Sequence, residues 1–151
     1  MTQINAPDTQ WDIGSVGSFD TNDYFGFVYF VVNHTNAKMY IGQKQFWSFR
    51  RCRKTSIRCV DKLKVRKTTR IVRTESDWKT YTTSSTQVNK DIAHGHHFSF
   101  HIQSLHKSKS SLTYGEVQTI IFTDALTKRF EDGTRMFYNQ FIPSVRCPPR
   151  E

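Results

Sequence analysis

Cysteine is scarce: three among 151 residues, an odd number that argues against a secreted disulfide framework and for a reducing, cytoplasmic setting. Cys52 and Cys59 stand too far apart for a close zinc pair, and no partnering CxxC follows. No apolar run approaches the ~20 residues of a membrane span, so no membrane partner is expected. The first 23 residues lack a positive start, an apolar stretch and a cleavage site, and do not form a signal peptide. They read as a flexible polar tail with Trp11 as its candidate anchor. A glycine-rich phosphate loop, a nucleophile elbow and an HExxH zinc pattern are all missing. Acids are few as well, 13 against 22 lysines and arginines, for a formal charge of +9.

That positive charge is concentrated. Lys44, Arg50, Arg51, Arg53, Lys54, Arg58, Lys62, Lys64, Arg66, Lys67, Arg70 and Arg73 fall in one stretch whose single acid is Asp61. Like charges this dense repel one another unless an anion offsets them. Val60, Leu63, Val65, Ile71 and Val72 interleave with the cations. The alternation Lys62-Leu63-Lys64-Val65-Arg66 predicts a half-buried strand with a basic outer face. Such a surface tracks phosphates and draws its affinity from counterion release. A solvated loop is the alternative.

Hydrophobic residues make up 36% of the chain and aromatics 14%, enough for one folded domain with a modest core. "GFVYFVVNHTNAKMYIGQK", Gly26 to Lys44, sets two apolar runs around a turn-like break at Asn33 to Lys38, and predicts a β-hairpin. Capping residues before Trp78 predict a short helix from about Asp77 to Tyr81. Ser84 or Ser85 opens a second helix through Val88 and Ile92, stopped by Gly95. "HHFSFHIQSL" alternates as a strand. "SLTYGEVQTIIFTDALTK" is a longer helix in which Leu112, Val117, Ile120, Ile121 and Leu126 can share a face. Asp132-Gly133 is a turn, "RMFYNQFI" a short apolar element, and 143–151 a loose C-terminal tail. The order predicts an α+β fold, a small antiparallel β-sheet starting with a hairpin and flanked by helices. The folded domain spans 24–142, with a basic insert at 44–73.

Glu116 is out of place in that apolar helix. A carboxylate near a core costs free energy unless it is paired or holds a cation, so it is a candidate hard-metal ligand, with an ordinary exposed helix Glu as the alternative. His94, His96, His97, His101 and His106 cluster in sequence. His97 and His101 suit two zinc ligands only on a helix, and this segment reads as extended.

Tyr29 in "GFVY", "YIG" at Tyr40-Ile41-Gly42, the lone helical Glu116 and "YN" at Tyr138-Asn139 together resemble the GIY-YIG nuclease superfamily. The tyrosines are 11 positions apart, the spacing of that hairpin. "YIGQKQFW", "ESDWKTYTTSS" and "FYNQFI" are similar to the phage SegE-type branch of homing endonucleases. The resemblance covers roughly 24–142. The first motif departs from it, since Phe27-Val28 replaces Gly-Ile. It implies a metal-dependent endonuclease acting on double-stranded DNA, homing-type or host-DNA-degrading. Tyr40 or Tyr29 would accept a proton from the attacking water. Gly42 would let the DNA backbone approach, and Lys44 would neutralise phosphate or lower a phenol's pKa. Glu116 would hold Mg²⁺ or Mn²⁺, and Asn139 would orient neighbouring groups. The catalytic arginine stays open between Arg70, Arg73 and earlier ones, with Lys79 as a substitute and a further DNA contact. A non-catalytic DNA- or RNA-binding protein on the same fold is the other reading.

Overall fold

A computed structural model of the chain describes residues 3–4, 9–53 and 69–145. The strand expected through Lys62 to Arg66 lies outside the described residues. So do the candidate contacts Lys54, Arg58, Lys62, Lys64, Arg66 and Lys67 and the side chain of Arg53.

Among the described residues eight strands and two α-helices follow one another as β1 (Gln3–Ile4), β2 (Trp11–Asp12), β3 (Phe19–Asp20), β4 (Gly26–Asn33), β5 (Met39–Gln45), β6 (Trp47–Arg53), β7 (Thr69–Glu75), α1 (Thr86–Ala93), β8 (Phe98–His106) and α2 (Lys109–Phe122). The central sheet has the order β2-β8-β4-β5. Its pairs are antiparallel except β2 with β8, which run parallel. β6 and β7 form a separate antiparallel ribbon, and β1 pairs with β3. This is the α+β architecture expected from the element order.

β4 is a central strand covered on both faces, which is why its sequence is an almost unbroken apolar run. Phe27, Tyr29 and Val31 pack on one side with Trp11, Phe46, Trp78 and Val88. Val28 packs on the other with Ile41, Leu112, Ile120 and Phe137. α2 lies on that second face. Gly115 costs the helix ~1 kcal/mol against alanine, and the reason is a close approach: a Cβ there would sit 2.5 Å from the His106 ring. Local chemistry sets the helix starts. Ser85 accepts from the Val88 N–H and Ser108 from the Ser111 N–H, while Gly95 ends the first helix with φ +86°.

Three expectations change, and the short apolar element near the C-terminus takes a definite form. Asp77 to Tyr81 is a single turn, closed by Tyr81 N–H to Asp77 C=O at 3.0 Å. β-branched Thr80, Thr82 and Thr83 disfavour its propagation. α2 stops at Phe122 because Asp124 turns left-handed at φ 51°, so Leu126 leaves the helix, and Ile121 is exposed rather than on the shared face. "RMFYNQFI" is extended: Phe137 bridges Met39 alongside β5, and the Tyr138 N–H donates to the Met39 carbonyl. The second half of the supposed tail belongs to the core, since β2 extends the central sheet and Trp11, 1% exposed, donates through Nε1 to the Trp78 carbonyl at 2.7 Å. Among the described residues no helix is long and apolar enough to cross a membrane.

Trp11→Ala is therefore expected to lower the unfolding free energy by about 3–5 kcal/mol in urea titrations. Unchanged stability would return residues 11–23 to the status of a tail.

Candidate active site

The β4–β5 register sets Tyr29 opposite Gly42 and Val31 opposite Tyr40. Tyr29, Tyr40 and Gly42 share one face, because strand residues alternate. A Cβ on Gly42 would lie 2.5 Å from the Tyr29 hydroxyl and 3.0 Å from the Tyr40 ring. Glycine is needed here to seat two phenols. The Tyr29 and Tyr40 rings are 6.3 Å apart, and Tyr81 stands edge-on to Tyr29 at 6.3 Å.

The two phenols have different surroundings. Tyr29 is fully buried, and its hydroxyl makes no hydrogen bond of good geometry. Burial pushes its pKa well up, and Tyr81 and Tyr40 add to the effect. Tyr40 is half-buried and shares a hydrogen bond with the Ser84 hydroxyl at 3.1 Å. Burial raises its pKa first; the Ser84 bond opposes this, and the Glu116 charge raises it further. The expected lowering by Lys44 does not occur. Lys44 Nζ is 2.6 Å from Asp77 and 3.8 Å from the centre of the Tyr81 ring.

Glu116 approaches from the opposite face of the sheet. Leu112, Glu116 and Ile120, spaced four apart, form the core-facing stripe of α2, so a carboxylate occupies an apolar position. It is 7% exposed, and its Oε2 has no hydrogen-bond partner. Burial pushes its pKa up to about 7. Tyr40 and Glu116 meet across the free edge of β5, lining a cavity of ≈ 290 Å³ with Gln43, Ser84, Asn139 and Gln140. Asn139 secures that edge. Its Oδ1 accepts from the Ile41 N–H at 2.9 Å and its Nδ2 donates to the Ile41 carbonyl at 2.8 Å, so a side-chain amide completes the ladder that another strand would have continued.

The expected cations stand elsewhere. The Arg73 guanidinium stacks over Trp47 at 3.6 Å and donates to Asn22, Arg70 is on β7, and Lys79 is 3.5 Å from Glu75. Arg50 and Arg51 are exposed on β6. Among the described residues no arginine or lysine lines the Glu116 cavity. A neighbouring cleft of ≈ 760 Å³ holds Lys44 and Lys109, and Gln43 lines both. Sequence reasoning missed Gln43, Ser84 and Tyr81. The last two lie in "DWKTYTTSS", where a tyrosine and serines beside a tryptophan were the available signal.

Among the described residues no group of three or more His, Cys, Asp and Glu gathers to hold a metal. His101 bonds Asp12 and Ser99 and stacks on Phe30, His96 is bonded to Asn33, and His106 to Ser104 and Ser111. One carboxylate with an unpartnered oxygen, beside side-chain amides, fits Mg²⁺ or Mn²⁺, hard ions that keep several waters and take few protein ligands. It does not fit a closed zinc site.

Glu116 makes stability depend on pH. The folded-state value of about 7 exceeds the ordinary 4.5, so the folded protein binds more protons between them and loses stability as pH rises through that window. In EDTA, wild type should lose up to about 3 kcal/mol between pH 4.5 and 8 that Glu116→Gln keeps. Parallel pH curves for the two proteins in urea titrations would show that the carboxylate is not held as described.

The family model described as "Putative endonuclease segE, GIY-YIG domain" matches residues 11–142. No curated protein and no solved structure matches the chain. The match includes Trp11, the paired tyrosines, Glu116 and Asn139. GIY-YIG enzymes act on DNA in general and often use divalent metals. This chain belongs to the SegE-type GIY-YIG nuclease family and is an endonuclease.

Proposed function

We propose that the chain hydrolyses phosphodiester bonds in double-stranded DNA, with Tyr40 as the group that accepts the proton of the attacking water and Glu116 as the holder of Mg²⁺ or Mn²⁺. One observation carries this reading: Glu116, whose Oε2 is buried without a partner, lines the same small cavity as Tyr40. When bound, the cation supplies positive charge to the scissile phosphate and its leaving oxygen.

The residues divide the remaining work. Tyr40 reaches the cavity, whereas Tyr29 is sealed behind it and holds the Tyr40 ring over Gly42. Neutralising the Glu116 charge removes one of the causes that raise the Tyr40 pKa, so cation loading and base activation are coupled. Ser84 orients the phenol. Asn139 fixes the β5 backbone between the two catalytic side chains. Lys44 and Lys109, in the adjoining cleft, offset the charge of phosphates leading into the cavity. Arg70 and Arg73 belong with DNA contacts rather than chemistry. Homing or host-DNA degradation in a phage-infected bacterial cytoplasm is the setting the SegE likeness favours.

The absence of an arginine at the cavity, among the described residues, favours the second reading, a non-catalytic DNA- or RNA-binding protein on this fold. Plasmid nicking with Mg²⁺ and with EDTA separates the two. Under the proposal Mg²⁺ supports nicking, Glu116→Ala abolishes it, and DNA affinity in EDTA is retained. Nicking by Glu116→Ala near the wild-type rate removes Glu116 from the mechanism. In single-turnover cleavage Tyr40→Phe should be slower by roughly 10²–10⁴, the usual contribution of positioned proton transfer. Tyr29→Phe should have a much smaller effect and, by removing an unbonded buried hydroxyl, should not lower stability. Full activity of Tyr40→Phe would exclude it as the base.

A further inference from the structure

We propose that the β6–β7 ribbon enters the major groove of the DNA and reads base edges there, with Arg50, Arg51 and Arg70 as the reading side chains. The inference rests on the nuclease reading for its substrate. Its test does not require cleavage.

The pairing register decides which side chains share a face. Phe49 stands opposite Arg73, Arg50 opposite Val72, Arg51 opposite Ile71, and Cys52 opposite Arg70. Paired residues project to the same side and neighbours along a strand to opposite sides. One face therefore carries Phe49, Arg51, Ile71 and Arg73, and the other Arg50, Cys52, Val72 and Arg70. The positions Ser48 to Arg51, Arg70 and Ile71 are exposed, so both faces are open. A ribbon that covers a protein core shows one apolar and one polar face. This one shows arginine on both.

A two-stranded ribbon is marginal by itself, and its order comes from the base. Trp47 donates through Nε1 to the Thr21 carbonyl at 3.0 Å and carries the Arg73 guanidinium on its ring. Phe49 lies parallel to Phe25, with centroids 6.1 Å apart and planes 5° apart. Beyond that anchor the described residues of the ribbon show no comparable packing, and their charge selects a polyanion. Among the described residues of the ribbon the one acid is Glu75, at the base, where it is tied to Trp78 and Lys79.

Shape narrows the polyanion. A B-DNA major groove is about 12 Å wide and admits a two-stranded ribbon, which then meets a phosphate wall on each side. Arginine on both faces suits that position, whereas a ribbon lying across one phosphate backbone needs only one charged face. Arginine rather than lysine occupies these positions, and its planar fork matches the O6 and N7 of guanine. Ile71, 62% exposed and directly across from Arg51, gives the same face an apolar contact of the kind a thymine methyl takes. The cleft with Lys44 and Lys109 leads from the ribbon base, at Trp47 and Phe49, to Gln43 at the edge of the catalytic cavity. DNA held by the ribbon thus has a route to Glu116.

The experiment selects preferred duplexes from a randomised pool by binding to the full chain in EDTA, then applies methylation interference. Dimethyl sulfate marks guanine N7 in the major groove and adenine N3 in the minor groove, so each duplex contains its own control. Guanine N7 methylation should weaken binding roughly tenfold or more at one or more positions, and adenine N3 methylation should not. Arg50→Lys, Arg51→Lys and Arg70→Lys keep the charge and lose the fork. At least one should cut discrimination between the selected and a random duplex by roughly tenfold, with the dependence of affinity on salt unchanged. No selected preference, no N7 interference, or full discrimination in all three variants overturns the inference. Cleavage without N7 sensitivity overturns it and leaves the nuclease reading standing, whereas N7-sensitive binding without cleavage does the reverse.

Discussion

Tyr29 lies against Gly42 so closely that no side chain fits between them, and the geometry of the site follows from that contact. It pins the β4–β5 register, since a slip of one residue would put Ile41 or Gln43 under the ring and turn every β5 side chain to the other face. With Tyr29 seated, Tyr40 is held beside it and its hydroxyl extends to Ser84 at the margin of the sheet. A fully buried phenol without a good hydrogen bond is costly. The core compensates through aromatic packing: Trp11, Phe27, Tyr40 and Tyr81 all contact the Tyr29 ring.

β5 is the edge of the central sheet, and the site is built around that edge. Tyr40 comes from one face, Glu116 from the other, and Asn139 closes the strand's own hydrogen bonds between them. An open edge is an aggregation hazard. Here a side-chain amide covers it and leaves a cavity where another strand would have lain. The buried carboxylate, its pKa pushed up to about 7 by burial and its Oε2 without a partner, is the destabilising element of this arrangement. Aromatic packing on one face and a polar orphan on the other divide the labour between stability and chemistry.

The elements that were legible in the sequence are those encoded locally. The hairpin follows from two apolar runs around a turn-like break, β8 from alternation and α1 from its capping serine and Gly95, all within a few residues of chain. Tyr29, Tyr40, Glu116 and Asn139 could be singled out because their order resembles a family, and Glu116 also because a carboxylate interrupts an apolar stripe. What could not be read was set by distant partners. Trp11 reaches the core through a parallel pairing of β2 with β8, some 89 positions along the chain. Lys44 is taken by Asp77 and Arg73 by Trp47, so a cation's position in sequence said little about the charge it would serve. Gln43 and Ser84 form no motif, and only folding brings them beside Glu116. The two phenols were expected to be acidified by nearby cations, and burial does the opposite.

The central claim is that a divalent cation sits on Glu116 beside Tyr40. Paramagnetic Mn²⁺ tests it directly, through broadening of tyrosine ring resonances in the DNA-free protein at pH 8. The account predicts that Mn²⁺ broadens the Tyr40 ring signals in the wild type and leaves them sharp in Glu116→Gln. Equal broadening in the two proteins, or an unaffected Tyr40, would contradict it.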